Sequence, residues 1–244
     1  MVELTQLEFF FGILSIVGIL IVFLLGALMI RSYFRNKNRG VLLMGIVIIL
    51  LSEPWWPYAI NLMLFLISGE ILPLGMHILI GLGLHPLTVL LGIIVMANLL
   101  WENNKKIIIH LSAVYAAIIQ IIVFYAAFVD PLSFAEPEGP FDTRYKSLLG
   151  LILIINLTIL IILGTWFFLE TRKSEKQENR LRGTLYILSV LSYVIGAILD
   201  SIMPLSLIIL LIVRILLVSA AFEIYGAFAM PKWIKKIFLG KEEN

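Results

Sequence analysis

Residues 205–228 read LSLIILLIVRILLVSAAFEIYGAF, an apolar run that contains a single arginine, Arg214, and carries Glu223 near its far end. As a helix, the run is long enough to cross the roughly 30 Å hydrocarbon core of a bilayer. An arginine at that depth costs from about 3 to more than 10 kcal/mol, so such a side chain normally faces other helices and an acidic partner. The stretch therefore predicts a helical bundle that surrounds Arg214 and neutralises it.

The composition places the whole chain in the membrane class. Hydrophobic residues make up 61% of the sequence and charged residues 14%, with a mean hydropathy of +1.06. Most charges sit in short clusters between apolar runs of about 20 residues, which is the length of a membrane-spanning helix. The sequence has no cysteine, so disulfides and thiolate metal sites are excluded. We predict an all-α integral membrane protein.

Seven spans form the predicted bundle, which occupies residues 1–230. The second span is interrupted at Glu53-Pro54, and the third contains His85-Pro86. No basic residue precedes the first run, so we expect a retained helix and not a cleaved signal peptide. Pro204 alone is expected to join the last two spans. The predicted spans cover residues 8–30, 41–68, 72–101, 106–129, 147–169, 183–203 and 205–228.

The basic residues predict the orientation of the bundle. Of the 18 Lys and Arg residues, fifteen fall in the loops and tail of one side, and only Arg144 and Lys146 fall on the other side. Because loops rich in Lys and Arg stay in the cytoplasm, we predict an external N-terminus and a cytoplasmic C-terminus, as a multi-pass protein of the cell membrane. Residues 231–244 form an amphipathic tail, in which a short interfacial helix is expected to contact anionic lipid.

Several polar side chains are predicted to lie at one depth in the outer half of the bundle. Counting about 1.5 Å per residue along each helix places six of them in one layer, each from a different span. We expect Arg214 to pair with Glu53 or Asp200, with Glu53 preferred because its depth is closest. Trp55 and Trp56 are candidate walls of a pocket. The six residues of this layer are Glu53, His77, Gln120, Asn156, Asp200 and Arg214.

Two interpretations of this polar layer stay open. It can be structural, with the polar groups setting helix register, or it can be an outward-facing ligand or proton site, because ionisable residues inside membranes usually mark function. His85 is expected to be a kink residue whose ring bonds a carbonyl freed by Pro86. Glu223, Arg180 and Arg182 are candidates for a cytoplasmic relay. The i,i+4 spacing of Glu178 and Arg182 predicts that the helices extend into the cytoplasm there.

The sequence lacks the motifs that carry the known chemistries of seven-span proteins. No lysine lies inside the last span, which excludes a retinal Schiff base. The motifs of animal G-protein-coupled receptors are missing, and so are the histidine clusters of seven-span zinc hydrolases and the nucleophile motifs of intramembrane proteases. No phosphate-binding loop is present. We therefore expect no enzyme activity, no cofactor, no metal and no nucleic-acid partner.

The sequence resembles the seven-span sensory regions attached to prokaryotic histidine kinases. The likeness lies in the predicted orientation, in the basic turn before a tryptophan-bearing second span (Arg35 to Trp56), and in the final pair LRGTLYILSVLSYVIGAILD and LIVRILLVSAAFEIYGAF. The resemblance implies a receptor-like protein. Because the sequence ends at Asn244 without a kinase domain, its signal is expected to pass to a separate cytoplasmic protein.

Two other functions stay open beside the receptor. A transporter or channel for a small solute or proton would use Glu53, Asp200 and Arg214 along its path and needs polar continuity toward Glu223. A membrane scaffold subunit without a ligand would have a tightly packed bundle with no outer cavity. The lipid bilayer is the expected partner in all three cases.

Overall fold

The computed structural model describes residues 4–202 and 206–240, which form helices and one short hairpin. The β1 and β2 strands pair antiparallel, with Glu136 opposite Arg144. In chain order, the elements are α1 (Gln6–Asn36), α2 (Arg39–Leu51), a 3-10 turn (Glu53–Trp55), α3 (Trp56–Ser68), α4 (Leu74–Leu82), α5 (His85–Leu100), α6 (Lys105–Phe128), α7 (Pro131–Phe134), β1 (Ala135–Pro137), β2 (Thr143–Tyr145), α8 (Ser147–Arg172), α9 (Gln177–Ile202), α10 (Leu207–Ala229) and α11 (Lys232–Leu239).

Within the described residues, seven segments are long and apolar enough to cross a membrane, which agrees with the predicted all-α class and the predicted number of candidate spans. They are α1, α2 with α3, α4 with α5, α6, α8, α9 and α10. Many large apolar side chains on the outside of the bundle are exposed, among them Leu20, Ile67 and Ile208. A contiguous apolar surface of this kind suits contact with lipid. The predicted turn at Pro204 lies outside the described residues.

Local chemistry explains where several helices begin and end. Thr5 and Glu8 form a capping box that satisfies free N–H groups at the start of α1. Lys37 ends α1 in the left-handed conformation, with φ 53°. Asn38 then caps α2 by accepting from the N–H groups of Gly40 and Val41. The basic turn between the first two spans is therefore short and defined.

The second and third spans are both broken in the middle. Pro54 follows the end of α2 and restricts the backbone to a 3-10 turn before α3 begins. Between α4 and α5 the chain turns at Gly83 and Leu84, ahead of Pro86. A Cβ atom at Gly83 would collide with the Leu79 carbonyl, so the turn requires glycine. Backbone groups freed at two breaks must find partners inside the bundle.

The bundle has two ends, which we name by their contents. The hairpin end carries the β1–β2 hairpin and the first turn of α1, where Gly139 lies beside Glu8. The tail end carries α11. There Arg182, at the start of α9, donates to the carbonyl oxygens of Ala227 and Phe228.

Glycines form close contacts at both ends of the bundle, and those toward the tail end join α1 with α2 and α8 with α9. Gly26 of α1 lies against Gly45 of α2, and Gly164 of α8 faces Val190 of α9. An added Cβ at any of these three glycines would come within 3.0 Å of a neighbouring atom. The apolar core here includes Met29, Met44, Met96, Phe167, Tyr186 and Phe228. Small residues at these contacts let the helix backbones approach, as is usual between membrane helices.

The predicted tail helix is present as α11, but it also packs into the bundle. Ile234 is buried and meets the space beside Gly226, whereas Trp233, Ile237 and Phe238 are exposed. The Nζ atom of Lys235 lies 3.2 Å from a carboxylate oxygen of Glu178 on α9. The helix is therefore anchored to the last two spans, and its remaining apolar face is free for an interface.

Candidate functional site

A cavity of about 390 Å³ lies between the helices beneath the hairpin. Its size falls in the range of small-molecule binding sites. Polar side chains gather at its hairpin end, and aliphatic side chains form its floor. The polar and aromatic lining is Trp55, Tyr58, His85, Thr88, Glu138, Asp142, Thr143, Arg144, Tyr145, Asn156, Ser189, Tyr193, Asp200 and Ser201. The deeper lining includes Met44, Val47, Ile93, Leu160, Leu163, Val190 and Ile224.

Arg214 is buried immediately behind one wall of this cavity. Its side chain is 7% exposed, and one terminal nitrogen donates to the Ser15 hydroxyl at 3.2 Å. The guanidinium lies 4.9 Å from the ring centre of Phe11 and 5.6 Å from that of Trp55, which are cation–π distances. Its Nη1 atom lies 3.7 Å from Asp200 Oδ1. The arginine is thus enclosed by α1, the 3-10 turn and α9, as its cost in hydrocarbon requires.

Asp200 connects Arg214 to the cavity. Its Oδ2 atom accepts from the indole N–H of Trp55 at 2.7 Å, and its side chain lines the cavity. One carboxylate therefore faces the buried guanidinium, the tryptophan and the cavity. A change at the cavity surface of Asp200 would be transmitted directly to Arg214.

The expectation that Glu53 is the preferred counter-ion was wrong. The carboxylate of buried Glu53 accepts from the backbone N–H of Leu84 at 2.5 Å, and no described residue forms an ion pair with it. The reason is the break in the third span, which leaves that N–H without a helical partner and directs it at the 3-10 turn. The similar depth of Glu53 and Arg214 on their helices was therefore misleading, because the break rotates the Glu53 side chain away from Arg214.

The hairpin contributes a second carboxylate to the cavity. Asp142 accepts from the Tyr58 hydroxyl at 2.9 Å and from the Thr143 N–H at 2.7 Å. Both donors are neutral, and no described cation forms an ion pair with Asp142. Burial raises the pKa of Asp142 above its ordinary value, although the two hydrogen bonds oppose that change. Next to it, Arg144 pairs with Glu138 at the rim.

Two aromatic residues anchor the hairpin in the bundle. Phe141 is almost fully buried, with its ring centre 6.5 Å from that of Phe65. The hydroxyl of Tyr145 reaches Gly81, where an added Cβ would lie 2.7 Å from the oxygen. Burial, together with the nearby carboxylates of Glu53 and Asp142, raises the pKa of Tyr145. The hairpin is therefore a packed cover over part of the cavity.

A polar chain on the opposite wall joins three spans. Tyr115 of α6 donates to the Asn156 side-chain oxygen at 2.8 Å, and the Asn156 amide nitrogen lies 2.9 Å from His85 Nε2. This arrangement makes His85 the acceptor, with its proton on the other ring nitrogen. The ring of His85 therefore bonds Asn156, and not a freed carbonyl as expected. His85 and Asn156 line the cavity, whereas Tyr115 does not.

The predicted layer of polar residues separates into three groups. Trp55, Asn156 and Asp200 line the cavity, whereas Glu53 and Arg214 lie directly behind its wall. The other three predicted residues do not line it. Trp56 donates to Ser52 and packs at a tilt against Phe23, His77 packs against Tyr58, and Gln120 lies on α6 with its amide nitrogen lacking a partner among the described residues.

Sequence reasoning missed the residues that the hairpin supplies. Asp142 and Tyr145 lie in a loop rich in Pro and Gly, and Tyr58 follows the Pro57 kink by one position. A signal was present, because aromatic residues interrupt the charges of this loop at Phe141 and Tyr145. Such residues indicate that a loop packs onto a core.

The floor of the cavity is continuous with the tail end. Tyr186 lines the cavity and forms an aromatic cluster with Phe167 and Phe228, with ring centres 5.5 to 6.2 Å apart. Phe228 is also one of the two residues whose carbonyls accept from Arg182, and Arg182 pairs with Glu178 at 2.8 Å. Packed side chains thus connect the cavity with the start of α9.

The other predicted relay residues have separate surroundings. Glu223 accepts from Ser219 on its own helix and from Ser192 on α9, at 3.0 and 3.4 Å. It does not line the cavity, so the described residues give no polar path from the cavity to Glu223. Arg180 is exposed near the tail end.

Comparisons of this chain with protein-family models, with curated proteins and with solved structures find no match. The cavity and its contacts are therefore the basis for the functional argument.

Proposed function

We propose that this chain is a receptor-like protein of the cell membrane that binds a small ligand in the cavity beneath the hairpin. In this proposal the hairpin end faces outward and the tail end faces the cytoplasm, which follows the distribution of basic residues. The protein has no catalytic role, and a separate cytoplasmic protein receives the signal at the tail end.

The observation that carries the proposal is the asymmetry of the cavity. It holds about 390 Å³, has polar groups at the hairpin end, and ends on an aliphatic floor. A ligand site needs such a volume with a few convergent polar groups. A scaffold subunit would have no use for it, because that role predicts a tightly packed bundle without a cavity.

A contiguous packed route supports the signalling part. A ligand that contacts Tyr186 can shift the cluster with Phe167 and Phe228, and Phe228 is held by Arg182 through its carbonyl. Coupling between sites needs an element with two arrangements that both sites influence. The contact of Arg182 with Glu178 and the end of α10 is our candidate for that element.

A small-solute or proton transporter is the second candidate. Two broken spans meet where Glu53 accepts from Leu84, and paired helix breaks near the middle of a membrane are common in transporters. The aliphatic floor argues for the receptor, because a solute would need a polar path past it. Solute flux into vesicles that contain the purified protein would favour the transporter.

The receptor proposal is tested by filling the cavity from Gly92. This glycine lines the cavity, and a Cβ at that position would meet nothing within 4 Å. Gly92→Leu adds a side chain there, whereas Gly92→Ala changes only the backbone preference. We expect Gly92→Leu to alter hydrogen exchange of the amides of residues 170–182, with Gly92→Ala close to wild type.

A second variant examines the same route from Arg214. Arg214→Leu removes the charge that faces Asp200 and should change exchange in the same segment. If both Gly92→Leu and Arg214→Leu leave residues 170–182 unchanged while the bundle stays folded, the relay is wrong.

A further inference from the structure

We infer that the ligand is a single-chain organic ammonium amphiphile, and that it enters sideways from the bilayer between α8 and α9. This inference rests on the proposed function, because it names the ligand class of the same cavity.

The charges of the lining favour a cationic head. Three acidic residues and one arginine line the cavity. Arg144 is occupied by Glu138, and Asp200 faces Arg214. Asp142 accepts hydrogen bonds from neutral donors only, and the nearby Arg214 guanidinium is paired with Asp200 instead. A buried carboxylate without an ion-pair partner is expensive, and a cationic ligand would neutralise it.

The aromatic residues beside these acids favour an organic ammonium over a metal ion. Tyr58 donates to Asp142, Trp55 donates to Asp200, and Tyr193 lies edge-on to Trp55 with ring centres 6.0 Å apart. All three line the cavity. Aromatic faces next to a carboxylate form the usual binding site for substituted ammonium groups.

The floor favours an apolar chain behind that head. Below Thr88 and Ser189 the lining becomes mainly apolar, with Met44, Ile93 and Leu163 beside the ring of Tyr186. A small polar cation would leave this part of the cavity without a matching surface. A chain that extends from the head toward the floor would cover this apolar surface. Its burial would contribute roughly 25 cal/mol of binding free energy per Å² of apolar area.

The side opening follows from the exposure of three isoleucines. Ile154, Ile198 and Ile202 line the cavity and are still 63, 44 and 72% exposed, so the cavity reaches the bundle surface between α8 and α9. These helices touch at Gly164 and Val190. From that contact, Ile154 lies about 15 Å and Ile198 about 12 Å toward the hairpin end along their helices. The opening is therefore bordered mainly by isoleucines, with Ser201 exposed at its outer edge, and Ile154 and Ile198 lie inside the spanning segments, where lipid is the neighbour.

The ligand class is tested with the protein in zwitterionic lipid vesicles. The probes are labelled tetradecyltrimethylammonium, tetradecyl sulfate and tetradecanol, with protein-free vesicles measuring simple partition. We expect saturable binding of the ammonium compound at one site per chain. Asp142→Asn keeps the hydrogen-bond acceptor and should weaken this binding at least about tenfold, because a close charge pair is lost. Glu136→Gln is the matched control, since Glu136 lies on the same hairpin outside the cavity and pairs with Lys146.

Three results would overturn the ligand class. They are equal binding of the sulfate or the alcohol, unchanged binding by Asp142→Asn, and equally effective competition by tetramethylammonium, which has no chain. If the sulfate or alcohol binds and Gly92→Leu abolishes that binding, the ammonium inference fails while the proposed ligand cavity stands. If Gly92→Leu changes the binding of none of the three probes, the proposed ligand cavity fails together with the ammonium inference.

The side entry is tested by narrowing the opening. Ile198→Trp and Ile154→Trp place a larger side chain at its two edges, and each should slow association of membrane-dissolved tetradecyltrimethylammonium several-fold. Ile195→Trp is the control, because Ile195 is exposed on the same helix but does not line the cavity. Wild-type association rates in both edge variants would exclude this route.

Discussion

The hairpin-end and tail-end halves of this bundle use the same apolar composition in opposite ways. In the tail-end half, glycines let backbones approach and large side chains fill the remaining space, as at Gly164 and Val190. In the hairpin-end half, α8 and α9 border a cavity with carboxylates, aromatic rings and one histidine in its walls. Close glycine contacts also occur in the hairpin-end half, as at Gly12 and Leu62, so the two halves differ mainly in the polar part of the cavity. Polar groups are found where the packing is interrupted.

The largest effect is expected at the buried ion pair of the hairpin-end half. Asp200→Ala leaves the Arg214 guanidinium without its carboxylate and should destabilise the protein by about 3–5 kcal/mol, the range for breaking a buried pair. Thermal or denaturant unfolding in a fixed detergent would measure the change. The double variant Asp200→Ala with Arg214→Leu should lose less stability than the sum of the losses in the two single variants, because no buried charge is then left without a partner. Additive losses would show that the two side chains are not coupled.

Two glycines at similar depth allow a direct comparison of a helix contact with the cavity wall. Gly164→Ala puts a Cβ 2.8 Å from a Val190 methyl group and should cost about 1–3 kcal/mol of stability through overpacking. Gly92→Ala meets nothing within 4 Å and should stabilise its helix by about 0.5–1 kcal/mol. Unfolding of the two variants under one condition measures both. Equal losses at the two positions would mean that the space beside Gly92 is as tightly packed as the contact at Gly164.

A change of similar or smaller size is expected where the two broken spans meet. Glu53→Ala removes the acceptor of the Leu84 N–H and should cost about 1–3 kcal/mol, the penalty for a buried donor without a partner. Glu53→Gln keeps a side-chain oxygen at that position and should lose less. Hydrogen exchange of the Leu84 amide reports the contact directly. Slow exchange at Leu84 in the alanine variant would contradict this role.

The smallest effect is a pH dependence of ligand binding at Asp142. Because burial raises its pKa, the carboxyl holds its proton to a higher pH than a free aspartate, and its stabilising contribution to the fold is lost as pH rises through that pKa. A cationic ligand needs the ionised form, so affinity should rise several-fold over the same pH range. Tyr58, Tyr145, Glu138, Asp200 and Arg214 surround this carboxyl.

Binding isotherms of tetradecyltrimethylammonium across that pH range would measure the dependence. Asp142→Asn should bind weakly at every pH and show a flat profile. A profile that is unchanged in this variant would assign the titration to another group, with Glu138 at the rim as the next carboxylate to examine.

Much of the fold could be predicted from the sequence, and less of the site. Apolar runs bounded by charges predicted seven spans, and Glu53-Pro54 and His85-Pro86 marked the two breaks, because proline is tolerated in the first turn of a helix but interrupts a helix interior. The burial of Arg214 followed from the energy of a charge in hydrocarbon. The acidic partner of Arg214 could not be predicted in this way, since the depth of a residue along its helix does not show how that helix is rotated about its axis. His77, a member of the predicted layer, and Trp56, a predicted pocket wall, therefore lie outside the cavity.

Length, hydropathy and the penalty for placing charge in lipid are properties of the chain itself, so the sequence alone determined the helical class, the span count and the need to enclose Arg214. Contacts between distant segments depend on how the helices rotate and where they separate. The tertiary structure alone decided that Asp200 and not Glu53 faces the arginine, that the hairpin brings Asp142 over a cavity, and that α8 and α9 leave an opening beside it.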